Sequence, residues 1–317
     1  MWSIKKKKSS GGESLTEKRK KGVVIRFGSR TMVVADLHTK KRYICNMPGR
    51  FKLQGIRPIV GDIIEFIETT ESMGRVENIL PRRNELLRPR IANIDQIILV
   101  TCLKEPTVPL YIVDRFLVLA EHSGLPTVIV VNKTDLLTSR DPLKKFYHIY
   151  GEYYNILEVS AKEGTNIDLL KEIFKGKVSA MAGMSGVGKS SLLNAINPGL
   201  SLKTSEISTR LDRGKHTTTY SELLEFDFGG YVADTPGFAS LELPYDMEPQ
   251  ELQNFFRDIS AHKGMCAFSN CVHVEEPGCY IKELVETGDI PMSRYESYLK
   301  MYNELSERKK GRKGGRR

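Results

Sequence analysis

The chain has 317 residues, 40% of them hydrophobic, and a net charge of +9. This length favours two or three domains rather than one, and no run approaches the about 20 apolar residues that a membrane span needs. No apolar core follows Lys5 to Lys8, so the first residues do not resemble a signal peptide. We therefore expect a cytoplasmic, monomeric protein with no membrane partner.

The excess positive charge lies in two terminal arms. Residues 1–21 carry a net +6 and residues 308–317 a net +7, which leaves −4 for residues 22–307. Short arms of this composition cannot bury enough apolar surface to fold alone, so we expect a disordered arm over 1–21 and a basic tail over 308–317. Such arms often bind nucleic acid, although they can also act only as solubilising tails.

Five short segments rich in Val, Ile and aromatic residues follow the first arm. They are 22–27, 31–36, 41–45, 63–67 and 75–80. Gly, Asn and Pro separate them, which is typical of strands and turns. Five strands in about sixty residues favour an oligonucleotide-binding (OB) barrel over 22–82, with another small barrel or sandwich as the alternative.

Buried strands then alternate with helices after a polar, Arg-rich connector over 81–89. The strands are 97–101, 127–131, 156–159 and 178–182, and the helices are 112–122, 142–150, 167–174 and 189–196. This alternation predicts an α/β domain over 90–245 with a mostly parallel sheet. Gly229-Gly230 joins strands 223–228 and 231–233, a hairpin signal that predicts one antiparallel edge strand.

The strongest motif lies between the strand 178–182 and the helix 189–196. It is Gly183-Met184-Ser185-Gly186-Val187-Gly188-Lys189-Ser190, a phosphate-binding loop followed by Ser191. Its glycines let backbone N–H groups point at one phosphate, and the helix N-terminus adds positive potential. We expect Lys189 to reach the β and γ phosphates and Ser190 to bind Mg²⁺, with Ser191 in the same nucleotide-binding set.

The choice of base is predicted from Asn132-Lys133-Thr134-Asp135, directly after the strand 127–131. A carboxylate at Asp135 can accept both donors on one edge of guanine, whereas adenine presents an acceptor there and would leave a polar group unpaired. Such sites can reject the wrong base by roughly 10⁴. The Lys133 stem can cover the base, and Asn132 can tie this loop to the phosphate loop.

Further segments complete the set. Ser160-Ala161-Lys162 follows the next strand, where a backbone N–H can meet guanine O6, and Asp234-Thr-Pro-Gly237 follows strand 231–233. We expect Asp234 to hold Mg²⁺ through water and the Gly237 N–H to sense the γ-phosphate. One residue of Thr217-Thr218-Thr219 should cap Mg²⁺; Thr218 is the candidate, and the sequence does not separate it from its two neighbours. The guanine motifs precede the phosphate loop, a rotated order that a fold tolerates because every strand contact is preserved.

Three cysteines and a histidine are crowded into fourteen residues near the C-terminus. Their spacing is Cys266-x₄-Cys271-x-His273-x₅-Cys279. A Cys₃His set is typical of one closed, structural zinc site. The alternative is a group of buried thiols, but residues 246–307 are too short and loop-rich to hold a core without a metal. We therefore expect a zinc-binding helical domain over 246–307, with its last helix over 292–306.

These motifs resemble those of the circularly permuted GTPases known as RsgA or YjeQ. The resemblance covers roughly residues 22–300 and includes Gly214-Lys-His-Thr-Thr-Thr219, Asp234-Thr-Pro-Gly-Phe238 and the Cys₃His cluster. It implies an OB barrel, a GTPase domain and a zinc domain. It also implies GTP hydrolysis stimulated by the small (30S) ribosomal subunit, with 16S rRNA as a partner, late in the maturation of that subunit.

Three points stay open at this stage. Many members carry a histidine shortly after the segment that corresponds to Asp234–Gly237, but none lies between Gly237 and His262 here. His216 is either a substitute or a solvent-exposed loop residue. A GTP-dependent RNA-binding module with incidental hydrolysis is one rival function. An ATPase is the other, and Asp135 argues against it.

Overall fold

The computed structural model describes residues 19–27, 31–53, 55–87, 90–200, 222–233 and 241–314. The chain divides into two compact units. The first contains residues 1–58 and 62–81, and the second contains residues 59–61 and 82–317. The predictions for Thr217–Thr219, Asp234, Gly237 and His216 fall on residues outside the described ranges.

The first unit is a closed five-stranded barrel. Its strands are β1 (Lys20–Phe27), β2 (Thr31–Asp36), β3 (Arg42–Asn46), β4 (Ile63–Thr70) and β5 (Met73–Ile79), in the order β1-β2-β3-β5-β4. Alternate side chains point inwards, as Tyr43 and Cys45 of β3 do. They pack with Val24, Val34 and Phe66. The predicted OB-like, five-stranded barrel is thus confirmed.

The predicted start of the barrel is two residues late. β1 begins at Lys20, so Lys20 and Lys21 belong to a strand rather than to the basic arm. Both residues pair with β4, opposite Phe66 and Glu65. Lys20 also forms an ion pair with Glu68, which compensates for its charge inside a strand. A short helix, α1 (Gly49–Leu53), lies between β3 and β4.

The Arg-rich stretch predicted as a connector forms an antiparallel hairpin. Its strands are β6 (Glu85–Leu87) and β7 (Arg90–Ala92). Glu85 forms an ion pair with Arg90 across the hairpin at 2.7 Å, so these two charges neutralise each other within the hairpin. The Asn84 side chain then joins the hairpin to the next segment, donating to Ile94 O and accepting from Ile94 N.

A six-stranded sheet organises the α/β part of the second unit. Its strands are β8 (Gln96–Thr101), β9 (Thr127–Val131), β10 (Asn155–Glu158), β11 (Val178–Ala182), β12 (Leu223–Glu225) and β13 (Tyr231–Ala233), in the order β10-β9-β8-β11-β13-β12. All neighbours are parallel except β12 and β13. The predicted antiparallel edge is confirmed, but β12 ends at Glu225 because Phe226 N bonds Gly230 O and closes the turn.

Among the described residues, four helices lie between these strands along the chain. They are α2 (Leu110–His122), α3 (Asp141–Tyr150), α4 (Ile167–Phe174) and α5 (Lys189–Ile196). Because parallel strands end at the same edge of a sheet, the loops after β9, β10 and β11 gather there, and all three carry the predicted nucleotide motifs.

The C-terminal part is helical, as predicted. A 3₁₀ helix (Pro249–Phe255) is followed by α6 (Arg257–Ser260), α7 (Tyr280–Thr287) and α8 (Met292–Gly314). Glu248 and Glu251 form a reciprocal capping box at the start of the 3₁₀ helix. α8 continues beyond the predicted end at 306, so the basic tail is partly helical. Arg308 accounts for this, since it donates to Leu243 O and Pro244 O.

The apolar core of this part includes residues of α2. Val118 lies in one cluster with Leu252, Phe256, Ile259, Tyr298 and Met301, and Tyr111 packs against that cluster. α2 therefore contacts the β-sheet on one side and the C-terminal helices on another. Within the described ranges, no helix combines the length and apolarity needed to cross a membrane.

Candidate nucleotide site and metal centre

The loop between β11 and α5 has the glycines that its backbone requires. Gly183 has φ +135°, and a Cβ atom there would lie 2.2 Å from Val100 O. Gly188 has φ +93°, and a Cβ atom would lie 2.4 Å from the Asn132 side-chain nitrogen. Side chains rarely adopt these angles, so both positions exclude any residue but glycine. The loop can thus approach a phosphate with its backbone N–H groups.

Lys189 lies in the first turn of α5 and turns back over this loop. Its Nζ donates to Gly183 O at 2.7 Å and to Met184 O at 2.9 Å. Burial lowers the pKa of Lys189. The ammonium group is therefore held at the mouth of the loop, next to the helix N-terminus, where both favour an anion.

Asn132 connects three loops. Its Nδ2 donates to Val187 O in the phosphate loop at 2.8 Å, and its Oδ1 accepts from Ala161 N at 3.2 Å. The residue is 2% exposed, so these bonds are shielded from water and are costly to break. The loops after β9, β10 and β11 are consequently fixed relative to one another by a single side chain.

Asp135 is exposed and faces the loop after β10. Ser160 Oγ donates to Asp135 Oδ1 at 2.6 Å, while the same hydroxyl accepts from Glu163 N at 3.1 Å. Thr134 fixes the loop further, since its Oγ1 donates to Val159 O at 3.0 Å. One carboxylate oxygen of Asp135 is thus oriented by Ser160, which sets the direction of the other.

The segment after β8 also belongs to this region, and no sequence motif indicated it. Lys133, at φ +62°, donates its Nζ to Glu105 O, and Lys104 Nζ donates to Leu136 O at 3.1 Å. Pro106 lies beside Gly186 of the phosphate loop. β8 lies between β9 and β11 in the sheet, so the segment after β8 lies beside the base loop and the phosphate loop. This sheet order could not be predicted from the sequence motifs.

The remaining predicted residues are less constrained. Ser185, Gly186, Ser191 and Lys162 are exposed, Val187 is buried and Ser190 is half-buried in the first turn of α5. Lys162 pairs only loosely with Glu163, at 3.5 Å. Thr218, Asp234 and Gly237 lie outside the described residues, so the Mg²⁺ side of the site stays a prediction.

The four predicted metal ligands converge in space. The ligand atoms of Cys266, Cys271, His273 and Cys279 all lie within 4.8 Å of one another. His273 Nδ1 is 3.4–3.5 Å from each thiol sulfur, and the Cys266 and Cys279 sulfurs are 3.9 Å apart. A tetrahedral zinc ion with bonds of about 2.3 Å to sulfur and about 2.0 Å to nitrogen separates its ligands by about 3.5–3.8 Å. The cluster could therefore hold one zinc ion.

Neighbouring groups fix the orientation of His273. Its Nε2 lies 3.2 Å from Gln253 Oε1, which favours the tautomer with a free Nδ1 facing the thiols. Burial lowers the pKa of His273, so its imidazole is neutral, as a metal ligand must be. The Glu276 carboxylate accepts from Val272 N and Val274 N, and this holds the loop on both sides of the histidine.

Comparison with known proteins identifies the family. The model of the RsgA GTPase family matches residues 79–244. The chain belongs to the RsgA GTPase family. The "Small ribosomal subunit biogenesis GTPase RsgA" of Thermotoga petrophila is 51% identical over 294 residues, 92% of this chain and 99% of that protein. The protein of the same name from Geobacillus sp. is 45% identical over 85% of this chain and 92% of its own length.

Two solved structures agree with the RsgA assignment. YjeQ from Thermotoga maritima has a TM-score of 0.81 and 48% identity, covering 91% of this chain and 99% of that one. YloQ, described as a circularly permuted GTPase, has a TM-score of 0.78 and 33% identity, covering 94% and 99%. The rotated motif order is therefore a circular permutation of the GTPase domain, and as an RsgA GTPase the chain hydrolyses GTP.

Proposed function

We propose that this chain is a GTP-dependent switch that acts on the small ribosomal subunit late in its maturation. The observation that supports nucleotide binding is the hydrogen bond from Asn132 Nδ2 to Val187 O at 2.8 Å, which joins the base loop to the phosphate loop. In this assignment Asp135 accepts the guanine donors, the Lys133 stem covers the base, and a backbone N–H of the segment Ser160-Ala161-Lys162 meets O6. The other nucleotide ligands are Gly183, Ser185, Gly186, Val187, Gly188, Lys189, Ser190 and Ser191.

The reaction is attack of water on the γ-phosphate. Lys189 stabilises the β and γ phosphates, and Ser190, Thr218 and Asp234 form the hydroxyl and carboxylate set that suits a hard cation. These groups would hold Mg²⁺, which would neutralise charge that develops on the phosphates. The Gly237 N–H would sense the γ-phosphate. Small GTPases commonly place glutamine after this glycine, but Phe238 has no donor or acceptor to orient water. Hydrolysis by the isolated protein is therefore slow, and a partner must supply or order the missing group.

The Cys266, Cys271, His273 and Cys279 cluster holds one structural zinc ion. The distances and the support from Gln253 favour this assignment over free buried thiols. A bound zinc ion contributes folding free energy to a region of short helices. All four positions are taken by protein ligands, so the site has no place for a catalytic water.

The partner is proposed from the family, the charge and the domain composition. The matched relatives are named for small ribosomal subunit biogenesis, so we assign the 30S subunit, its 16S rRNA and a cytoplasmic location to this chain. Along the chain the OB-like barrel (22–82) precedes the GTPase domain (90–245) and the zinc domain (246–307) follows it, and both types of module bind RNA. The basic arms add affinity that does not depend on sequence.

The switch would operate through the short link between the Asp234–Gly237 motif and the zinc domain. Gly237 and Glu248 are separated by ten residues. Movement of Gly237 with the γ-phosphate would thus reorient the zinc domain, so the GTP form binds the subunit and the GDP form releases it. By linkage, a subunit that prefers the GTP form raises GTP affinity by the same factor.

The test is GTP turnover by the purified protein alone and with small subunits, large subunits or naked 16S rRNA. We expect slow turnover alone and stimulation by small subunits only, of about 10³ to 10⁵ if the partner completes the site. Subunit affinity should be higher with a non-hydrolysable GTP analogue than with GDP. Equal affinities, or fast turnover by the protein alone, would contradict the switch.

A further inference from the structure

The segment after β8, residues 102–109, is folded back on itself, and we call it the β8 loop. Val108 N donates to Cys102 O at 3.2 Å, and the Cys102 thiol donates to Pro106 O at 2.9 Å. Cys102 is buried, so the loop is anchored in the core at the end of β8. Its tip, residues 104–106, is exposed, and Pro106 lies beside Gly186 of the phosphate loop.

Two lysines join the β8 loop to the loop after β9 in opposite directions. Lys104 Nζ, on the β8 loop, donates to Leu136 O at 3.1 Å. Lys133 Nζ, on the loop after β9, donates to Glu105 O. Each loop thus offers an ammonium group to a carbonyl of the other loop. Hydrogen bonds from charged donors are stronger than neutral ones, so the two bonds together resist separation of the loops.

The bond from Lys104 ends on the short helix that contains Asp135. Thr134–Leu136 is a 3₁₀ helix. Its first residue is held by Val159 O, which accepts from Thr134 N at 3.2 Å and from Thr134 Oγ1 at 3.0 Å. Its last residue is held by Lys104. Carbonyls at the end of a helix lack partners within the helix and favour a cation, so a lysine suits this position.

Asp135 therefore lies between two anchored residues, and its side chain is oriented separately by Ser160 Oγ, at 2.6 Å from Oδ1. Ser160 sets the direction of the carboxylate, whereas the anchors on either side set the position of the main chain that carries it. A carboxylate that accepts from two donors at once depends on both its position and its direction. The main-chain anchor at Leu136 should thus matter for the recognition of guanine.

We propose that Lys104 is a positioning residue for guanine recognition. Through the Leu136 carbonyl it holds the 3₁₀ helix where the Asp135 carboxylate meets both donors of the base. Lys104 acts on the base only through Leu136 and Asp135, which are neighbours in sequence. The proposal rests on the role assigned above to Asp135.

The test compares Lys104→Met and Lys104→Arg with the wild-type protein. Dissociation constants for GDP and inosine diphosphate (IDP) are measured by titration calorimetry at one salt concentration, and the unfolding midpoint is measured by circular dichroism. IDP is the informative probe, because its base keeps N1–H but lacks the exocyclic amine and can give Asp135 only one hydrogen bond. Lys175→Met is the matched control, since it removes the same charge from an exposed lysine that pairs with Glu172 at 3.2 Å.

We expect Lys104→Met to weaken GDP binding by about 3- to 10-fold, the range for loss of one hydrogen bond. The preference for GDP over IDP should fall by at least about twofold, because a displaced carboxylate no longer accepts from both donors of guanine. Lys104→Arg should keep most of the GDP affinity, since a charged donor remains near Leu136 O. Lys175→Met should change neither constant.

A second experiment combines Lys104→Met with Asp135→Asn. If Lys104 acts through Asp135, its loss should weaken GDP binding less in the Asp135→Asn protein than in the wild type, because residues that act on one contact are not additive. Full additivity would overturn the proposal.

Three other results would also overturn it. They are an unchanged GDP affinity in Lys104→Met, an equal loss for GDP and IDP, which would indicate an effect of charge on the phosphates, and a lower unfolding midpoint with an unchanged preference for GDP over IDP. Asp135→Asn alone tests the base assignment separately. Unchanged GDP affinity in that variant would refute the role of Asp135 itself, whatever the Lys104 variants show.

Discussion

The side-chain amide of Asn132 donates to the carbonyl of Val187, 55 residues further along the chain, at 2.8 Å. This bond crosses β8, because Asn132 follows β9 and Val187 follows β11. Gly188 leaves the space that the amide occupies. The recognition of the base and the binding of the phosphates therefore depend on one buried hydrogen bond as well as on the strands.

Asn132→Asp should weaken nucleotide binding although the two side chains have the same shape. The new carboxylate places an acceptor against Val187 O, and an unpaired buried polar group costs about 1–3 kcal/mol, more when charged. GDP affinity should fall by roughly 5- to 150-fold, measured by titration with a fluorescent analogue. Asn166→Asp is the control, since Asn166 donates to Glu158 O at an exposed position; an equal loss in both variants would contradict the assignment.

Asp135→Asn should change the choice of base. An amide donates where guanine also donates, so GTP binding weakens, while the C2 oxygen of xanthine can accept from the same amide. We expect a loss of at least about 10²-fold for GTP relative to XTP, because the mismatch leaves hydrogen-bond donors of the base and of the amide unpaired. Ser160 orients this carboxylate, so Ser160→Ala should weaken GTP moderately without favouring XTP. Unchanged GTP affinity in Asp135→Asn would refute the base assignment.

Motifs within single loops were predictable because their chemistry is local. The glycines of the phosphate loop, the ligands of the metal centre and the strands that precede each loop follow from spacing and residue type. The barrel was predictable for the same reason, since five punctuated β segments allow few closed arrangements.

Pairings between distant residues were not predictable. Arg115 of α2 donates to Glu304 of α8 although they are 189 residues apart, and no periodicity in either helix marks them as partners. The hairpin of β6 and β7 was not predicted because its charged residues suggested a polar connector. In the structure Glu85 and Arg90 neutralise each other. The end of α8 was placed too early since its basic residues suggested a disordered tail, while Arg308 binds carbonyls of the preceding segment.

Arg294 should be essential for the stability of the second unit. Its guanidinium binds Asp114 at 2.6 Å and Asp258 at 2.8 Å, and all three side chains are at most 3% exposed. Burial raises the pKa of Asp114, and Arg294 opposes this. Arg294→Met would leave two buried carboxylates without a cation, and breaking such a group typically costs about 3–5 kcal/mol.

The loss in free energy of unfolding is measured by denaturant unfolding followed by circular dichroism. The matched control is Arg140→Met, which removes an exposed pair worth at most about 1 kcal/mol. A loss for Arg294→Met no greater than for the control would show that the buried pairs contribute little.

Removal of zinc should unfold the C-terminal helices and spare the barrel. Metal binding is folding free energy in small sites of this kind, because the ligands come together only in the folded state. Purified protein should contain about one equivalent of zinc, and Cys271→Ser should lose most of it. Hydrogen exchange should show faster exchange in residues 249–287 after chelation, with exchange in β1–β5 unchanged. Less than half an equivalent of zinc, or an intact C-terminal part without metal, would contradict the assignment.

The basic arms should increase affinity for ribosomal RNA without specificity, and the structure changes where they must be cut. Deletion of 1–21 would remove Lys20 and Lys21 from β1, and deletion of 308–317 would remove Arg308, which binds Leu243 and Pro244. With either deletion, a lower affinity for RNA could come from the lost charge or from the lost structure, and the two effects could not be separated. Deletions of 1–18 and 312–317 keep Lys20, Lys21 and Arg308 and shorten α8 only by its last three residues. They still remove five and four basic residues, respectively.

Each Lys or Arg that neutralises a phosphate releases counterions, so affinity falls with salt in proportion to the number of phosphates neutralised. We expect both shorter deletions to weaken binding to 16S rRNA and to flatten the plot of log affinity against log salt, by about 0.7–0.9 for each phosphate that is no longer neutralised. Replacement of the same basic residues by Gln, with the length kept, should give the same change in slope, because charge rather than chain length is responsible. An unchanged slope in both truncated proteins would show that the arms serve only solubility.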